Sequence, residues 1–332
     1  MDPFTQGVVG AVAAQQKAKN QNMLMPAIFG FFAGMAADLD VLIRSSSDPI
    51  LALEFHRQFT HSLIFIPIGG LICALFFYYV FAKKLNISFW QIYLFSSLGY
   101  LTHAFIDSCT SYGTQLFWPF SDYRVSFDII SIIDPLFTIP LFILVILAII
   151  KKAKIFSRLA ILWIFVYLVF GYIQHERAIK IGQQLALDRG HKFNAIEAKP
   201  SFANLLVWKI IYSTDKFFYV DAVRVGLGEK IFTGSKIEKL NIEKSFPWLD
   251  KNSQQYKDIE RFKWFSDGYV AVSNKFANRI IDIRYSMAPN EIRGLWGIEI
   301  HKQANNKEHV IYVFNRSVDN NRFDTLWKML VK

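Results

Sequence analysis

The sequence predicts an α-helical polytopic membrane domain of about five apolar helices over residues 1–175, followed by a smaller α+β, mainly antiparallel-sheet, soluble domain over residues 176–332. Three observations carry this. The chain is 53% hydrophobic with 32 phenylalanines, and the excess sits before residue 175. Apolar segments approaching the length of a membrane span recur in that half. Beyond it, short runs alternate apolar and polar residues between Gly, Asn, Asp and Pro, the period-two pattern of half-buried strands.

Asp2 and Pro3 predict a short amphipathic helix, as cap and first-turn proline. No basic region precedes a long apolar core there, so the stretch does not read as a cleavable signal peptide. Five apolar segments follow: Met23–Ala37, Ser62–Ala82, Trp90–Ile106, Ser131–Ile150 and Arg158–Gln174. The first is short, and the third turns polar near its end. Lysines orient them, because short loops rich in Lys and Arg stay cytoplasmic. Lys17 and Lys19, then Lys83 and Lys84, then Lys151, Lys152 and Lys154 alternate consistently. With the N-terminus in the cytoplasm, loops 38–61 and 107–130 and the C-terminal domain emerge on the opposite, extracytoplasmic face.

The second half should begin with an amphipathic helix, Arg177–Asp188, stopped by Gly190. Strand-like runs follow at 205–213, 217–225, 268–273, 279–286, 295–302 and 309–315, and a closing helix at Phe323–Val331. Together they predict one antiparallel sheet.

A net charge of +10 does not imply nucleic acid here, since no clustered basic stretch carries a recognition motif. It suits membrane lipid or an anionic substrate, either a small molecule or a lipid. The two cysteines, Cys73 and Cys109, do not form a disulfide framework. No G-x-S-x-G elbow, P-loop or glycine fingerprint supports acyl-enzyme or nucleotide chemistry.

The chemistry-bearing residues lie in the apolar half. In LGYLTHAFIDSCTSYGTQLFWPFS, His103 and Asp107 are four apart and share one helix face. Ionisable groups at such depth are costly unless paired or liganded. Asp38 and Asp40 in AADLD, His56, Arg57 and His61 in EFHRQFTHSL, and Asp128 and Asp134 in FDIISIIDPL come from other segments but fall on the same membrane face. Imidazole and carboxylate together suit zinc or a similar divalent ion, one or two of them. Simpler readings exist: a His103–Asp107 bond that only joins helices, Asp38 or Asp40 paired with Arg57 or Arg44, Asp134 as a helix cap, and Ser108, Thr110, Ser111 and Tyr112 as turn chemistry. His175, His191, His301 and His309 read as ordinary surface histidines. His56 and His61, five apart and so about 140° around a helix, require a break between them, with Thr60 or Ser62 capping the next span.

At these residues the sequence resembles the YdjM-like family of inner-membrane proteins, described as metal-dependent hydrolases. The motifs are ADLD, HRQFTHSL, HAFIDSCTSYGTQLFWPFS and IIDPLF, with the opening MDPFTQGVVGA. The resemblance covers the first 175 residues, and FANLLVWKIIYSTDKFFYVDAVRV is similar to the tail of longer members. It implies a distant likeness to zinc-dependent phospholipase C and P1 nuclease, with His103 and Asp107 carrying the family's His-x-x-x-Asp and His56 and His61 its His-Arg-x-x-Thr-His. Two positions depart from the pattern: Thr5-Gln6 stands where many members have Thr-His, and Ala37-Asp38-Leu39-Asp40 where Pro-Asp-x-Asp is usual.

The expectation is a membrane metallohydrolase acting on a phosphate ester or lipid head group. Asp38, Asp40, His56, His61, His103 and Asp107 would bind metal, and Arg57 and Arg124 would hold the anion. Ser111 and Tyr112 would touch substrate, and Asp128 or Asp134 would act as base. The C-terminal domain would cover the site or recruit a protein partner. Two rivals are a non-catalytic scaffold with a structural metal and a transporter or proton relay.

Overall fold

The computed structural model describes residues 1–81, 87–314 and 320–331. Lys83 and Lys84 of the orientation argument lie outside them, as do Ala82, Asn315 and Lys332. The first half comprises α1 (Pro3–Gln15), α2 (Leu24–Ala36), a 3-10 segment Ala37–Leu42, α3 (Leu51–Phe55), 3-10 turns Phe59–His61 and Leu63–Phe65, α4 (Ile66–Val80), α5 (Phe89–Ser108) and α6 (Pro135–Lys151). Then come α7 (Lys154–Asp188), β1 (Ala195–Pro200), β2 (Val207–Ser213), β3 (Phe217–Val225), β4 (Glu229–Glu238), α8 (Ile242–Ser245) and α9 (Gln254–Phe265). The chain closes with β5 (Val270–Val272), β6 (Arg279–Asp282), β7 (Trp296–Glu299), β8 (Ile311–Phe314) and α10 (Asn320–Val331).

These form two compact units. One contains Met1–Leu42, Phe55–Ile173 and Phe202–Asn204; the other contains Ile43–Glu54, Gln174–Ser201 and Leu205–Lys332.

In the first unit α5 lies against α1, α2 and α4. Asp2 caps α1 through the Thr5 amide and Pro3 opens it, as the sequence requires. The helix is not amphipathic, however: Thr5–Val12 is buried all round. Glycine explains this. A Cβ on Gly10 would sit 2.3 Å from the Gly30 carbonyl oxygen, so α1 and α2 meet backbone to backbone, as small residues permit in membrane bundles. Gly99 of α5 makes an equally close approach to Gly30.

Among the described residues three helical stretches are long and apolar enough to cross a membrane: Leu24–Leu42, Leu63–Val80 and Lys154–Asp188. The expected count of about five is therefore not confirmed. Pro135–Lys151 is shorter, at 17 residues. Phe89–Ser108 is long enough, but Gln91, Ser96, Ser97, Thr102, His103 and Asp107 dilute its apolar content. The fifth apolar segment and the expected helix Arg177–Asp188 are one 35-residue helix, α7, because nothing between them breaks helical geometry although the surface changes from apolar to polar. Gly190, at φ +70°, ends the run as expected.

The second unit holds two four-stranded antiparallel sheets, ordered β1-β2-β3-β4 and β5-β6-β7-β8, where the sequence pattern implies one. Ile211, Phe218, Val220 and Ile237 of the first pack with Tyr269, Ala271 and Ile281 of the second. The pattern misses β1, which pairs the buried Lys199 with the half-buried Glu197, and β4, which is mostly exposed and contains Gly234. A register shift between Val220 and Ala222 frees the Asp221 carboxylate to receive both terminal nitrogens of Arg189 at 2.6 and 3.0 Å.

Candidate metal centre

Four ligand atoms from three separate stretches of the first unit converge: Asp38 Oδ1, His61 Nε2, His103 Nε2 and Asp107 Oδ2. His61 Nε2 lies 2.8 Å from His103 Nε2, 3.3 Å from Asp107 Oδ2 and 3.4 Å from Asp38 Oδ1. His103 Nε2 lies 3.3 Å from Asp38 Oδ1 and 3.7 Å from Asp107 Oδ2. A tetrahedron of ligands at zinc–nitrogen and zinc–oxygen bond lengths has edges of about 3.3 Å. The cluster has that size.

Hydrogen bonding determines which nitrogens face inward. His103 Nδ1 is 2.6 Å from the carbonyl oxygen of Gly34, which only accepts, so Nδ1 carries the proton. Thr60 Oγ1 donates its hydrogen to Asp40 Oδ2 at 2.8 Å and so accepts from His61 Nδ1 at 3.0 Å. Both Nε2 atoms are left with inward lone pairs, an arrangement that a cation between them satisfies. Burial disfavours charge on His61, yet the surrounding carboxylates of Asp107, Asp38 and Asp40 raise its pKa to about 10. The pocket selects for positive charge.

Asp40 organises the outer layer. It accepts from the Arg57 backbone amide at 3.0 Å and meets His56 Nδ1 at 2.8 Å. Asp38, Asp40 and His56 make a second possible ligand group that shares Asp38 with the first. Here two of the three side chains reach solvent, His56 at 35% and Asp38 at 16% exposure, while that of Asp40 is buried, as are those of His61, His103 and Asp107. The required break between His56 and His61 is present: α3 ends at Phe55, and Arg57 adopts φ +64°, a costly left-handed conformation for an arginine. Neither Thr60 nor Ser62 caps the following span. Thr60 serves Asp40, Ser62 Oγ donates to Phe59 O, and Pro67 instead occupies the first turn of α4.

Arg57 is buried, with Nε 3.1 Å from Asp107 Oδ2 and Nη1 donating to Thr110 Oγ1. It braces the centre from behind Asp107. Arg124 donates to the carbonyls of Tyr112 and Gly113 and so braces the turn after α5. The Tyr112 ring lies under the Arg57 guanidinium, and Ser111 is buried beside it in sequence. Asp134 caps α6 and accepts from Tyr167 Oη at 2.7 Å, while Asp128 accepts from Ser126. Neither belongs to a His/Asp group.

Sequence reasoning placed Gln6 only as a departure from a motif. In the structure it is buried at the centre: Nε2 donates to Asp107 Oδ1 at 2.8 Å and lies 3.2 Å from His103 Nε2. The Met1 amino nitrogen also meets Asp107 Oδ1. With Oδ1 so engaged, Asp107 Oδ2 is buried without a hydrogen bond, as is Gln6 Oε1. A carboxylate oxygen that accepts no hydrogen bond and faces two imidazoles, with the Arg57 guanidinium behind it, fits a metal ligand. The glycine pattern of α1, α2 and α5 is the signal that would have brought Gln6 to this point.

A further group, Asp48, Asp258 and His309, occurs in the second unit. His309 is thus no ordinary surface histidine: Nδ1 lies 2.8 Å from Asp258 Oδ2, a partner 51 residues away on α9. Arg261 already answers these acids, donating to Asp48, Glu54 and Asp258.

The YdjM inner membrane protein family matches residues 1–178. The chain belongs to this family. It is 30% identical over 97 residues to the inner membrane protein YbcI of Escherichia coli (strain K12), covering 29% of this chain and 54% of that protein. It is 28% identical over 100 residues to the uncharacterized protein YfhP of Bacillus subtilis (strain 168), covering 30% of this chain and 29% of that one. The chain thus spans about half or less of the length of these relatives. No solved structure matches. Family and apolar helices together make this YdjM-family chain an inner-membrane protein with clusters of Asp and His suited to a metal.

Proposed function

We propose that this protein is a metal-dependent hydrolase of the inner membrane that acts on a phosphate ester or phospholipid head group at the extracytoplasmic surface. The observation that carries the reading is the pair of adjoining ligand groups that share Asp38. The inner group, Asp38, His61, His103 and Asp107, offers four ligand atoms within 4.8 Å of one another, three of them on fully buried side chains, the ligand number of a zinc site that holds its ion permanently. The outer group, Asp38, Asp40 and His56, offers three ligands at a half-open position, the form that leaves room for water and substrate. A divalent ion bound there would supply Lewis acidity and an acidified water.

The residues present do the rest. Asp40 orients His61 and His56 together, Gly34 fixes the tautomer of His103, and Gln6 turns Asp107 so that Oδ2 faces the imidazoles. Arg57 offsets the negative charge of Asp107 from behind. The lysines that flank the apolar segments support a cytoplasmic N-terminus and an extracytoplasmic C-terminal domain.

The burial of all but Asp38 in the four-ligand group favours a second reading, a non-catalytic scaffold with a structural metal whose C-terminal domain binds a protein partner. Purified protein assayed for phosphate or head-group release, with and without chelator, separates the two. Under the first reading His56→Ala abolishes chelator-sensitive turnover while elemental analysis still finds the inner ion. Absence of turnover in metal-replete protein against phosphodiester and phospholipid substrates would leave the scaffold; absence of any bound metal would end both.

A further inference from the structure

We infer that Gln6 is a further ligand of the inner ion, binding through its amide oxygen Oε1 and completing a five-coordinate centre. The inference rests on the reading of the four-ligand group as a metal site, whether or not that site is catalytic. Gln6 and all four ligands belong to one compact unit.

The Gln6 side chain is fully buried on α1, and Oε1 has no hydrogen-bond partner among the described residues. Buried carbonyl oxygens in that state are costly and uncommon in native interiors. Methionine or leucine would fill the same space without the cost, so the amide is there for its polar ends.

Its backbone is held against the ligand set. A Cβ on Gly34 would stand 2.7 Å from the Gln6 carbonyl oxygen, and the Gly34 carbonyl in turn meets His103 Nδ1. From this seat Gln6 Nε2 lies 3.2 Å from His103 Nε2 and 2.8 Å from Asp107 Oδ1. The first distance matches the spacing of ligands within the group, where His103 Nε2 and Asp38 Oδ1 are 3.3 Å apart. An atom at that point lies where a fifth ligand would.

The amide nitrogen cannot serve, since it only donates hydrogen bonds. The oxygen can, because the two ends of a carboxamide are nearly alike in size and a half-turn about the last side-chain bond exchanges them. Asp107 keeps its orientation after that turn, since the Met1 amino nitrogen also meets Oδ1. The resulting set of two imidazole nitrogens and three oxygens suits manganese or iron(II) as well as zinc.

The test loads the purified full chain with one equivalent of cobalt(II), in a His56→Ala background that removes the outer group, and reads the visible spectrum. Four-coordinate cobalt absorbs several-fold more strongly than five-coordinate cobalt. Gln6→Met, which fills the space without an oxygen, should raise that absorption several-fold and weaken binding about tenfold or more. Gln6→Glu, which keeps an oxygen, should retain the weak spectrum of the parent. Equal spectra in the parent and Gln6→Met would overturn the inference and leave the metal reading standing, whereas a parent that binds no cobalt would end both. Should Gln6→Met not fold, the parent decides: a strong four-coordinate spectrum overturns the inference, and a weak five-coordinate one that Gln6→Glu preserves upholds it.

Discussion

The Nε2 atoms of His61 and His103 face each other at 2.8 Å while each ring's other nitrogen is engaged, one by Thr60 and one by the Gly34 carbonyl. Two imidazoles so arranged share one cation, either a proton or a metal. The expected competition gives the first measurement. Metal titrated into purified apoprotein should release protons and bind more tightly as pH rises, and pH-independent affinity would contradict it.

Asp40 contacts His61 without belonging to the four-ligand group, so Asp40→Asn should lower metal affinity by about 10–100-fold while leaving the inner ligands intact. His103→Ala, which removes a ligand, should cost more. Competition with a chromophoric chelator for the inner ion ranks the two, and the reverse order would mean that Asp40, not His103, holds that ion.

Gly99→Ala should destabilise the helical unit by about 1–3 kcal/mol, because the new methyl would meet the Gly30 carbonyl oxygen at 2.3 Å and a backbone atom has little room to yield. His103 follows one turn later on α5, so metal affinity should fall with it. Thermal unfolding in detergent and a metal titration report the two effects. Wild-type values for both would refute the close approach.

Lys209 is fully buried among β2 and its neighbours, donating to Ser286 Oγ and the Glu291 carbonyl at 2.8 Å each. Burial lowers its pKa to about 7, against partial support from Asp282 and Glu291. Between about pH 7 and pH 10 the unfolded chain therefore binds the proton that the folded chain has lost, and stability rises with pH. Lys209→Met removes this titration. The stability of the native chain relative to the variant should climb across that window by at most about 1.4 kcal/mol per pH unit, read by denaturant unfolding at several pH values. A flat difference would show that Lys209 stays charged when folded.

Arg261→Met leaves Asp48, Glu54 and Asp258 without their common guanidinium. The group is partly exposed, so solvent softens the loss to about 1–2 kcal/mol, and the effect should shrink in high salt. Salt-independent destabilisation would point to lost packing of the side-chain stem instead.

Much of this protein is readable along the chain because hydropathy and capping are local properties. The membrane half, the alternating second half, the cap at Asp2, the stop at Gly190 and the break between His56 and His61 each follow from neighbouring residues, and the acids and imidazoles stand out because apolar surroundings make them costly. What tertiary structure alone decided was which of them meet. Asp38, His61, His103 and Asp107 converge while Asp134 is spent on a helix cap, and nothing in their spacing distinguishes these fates. Gln6 and the carbonyl of Gly34 enter the centre only because glycines let α1, α2 and α5 approach backbone to backbone. The division into two sheets was likewise set by long-range packing, since a strand such as β4 takes its place from its neighbours, not from its own alternation, whereas α7 runs on because no residue breaks it where its hydropathy changes.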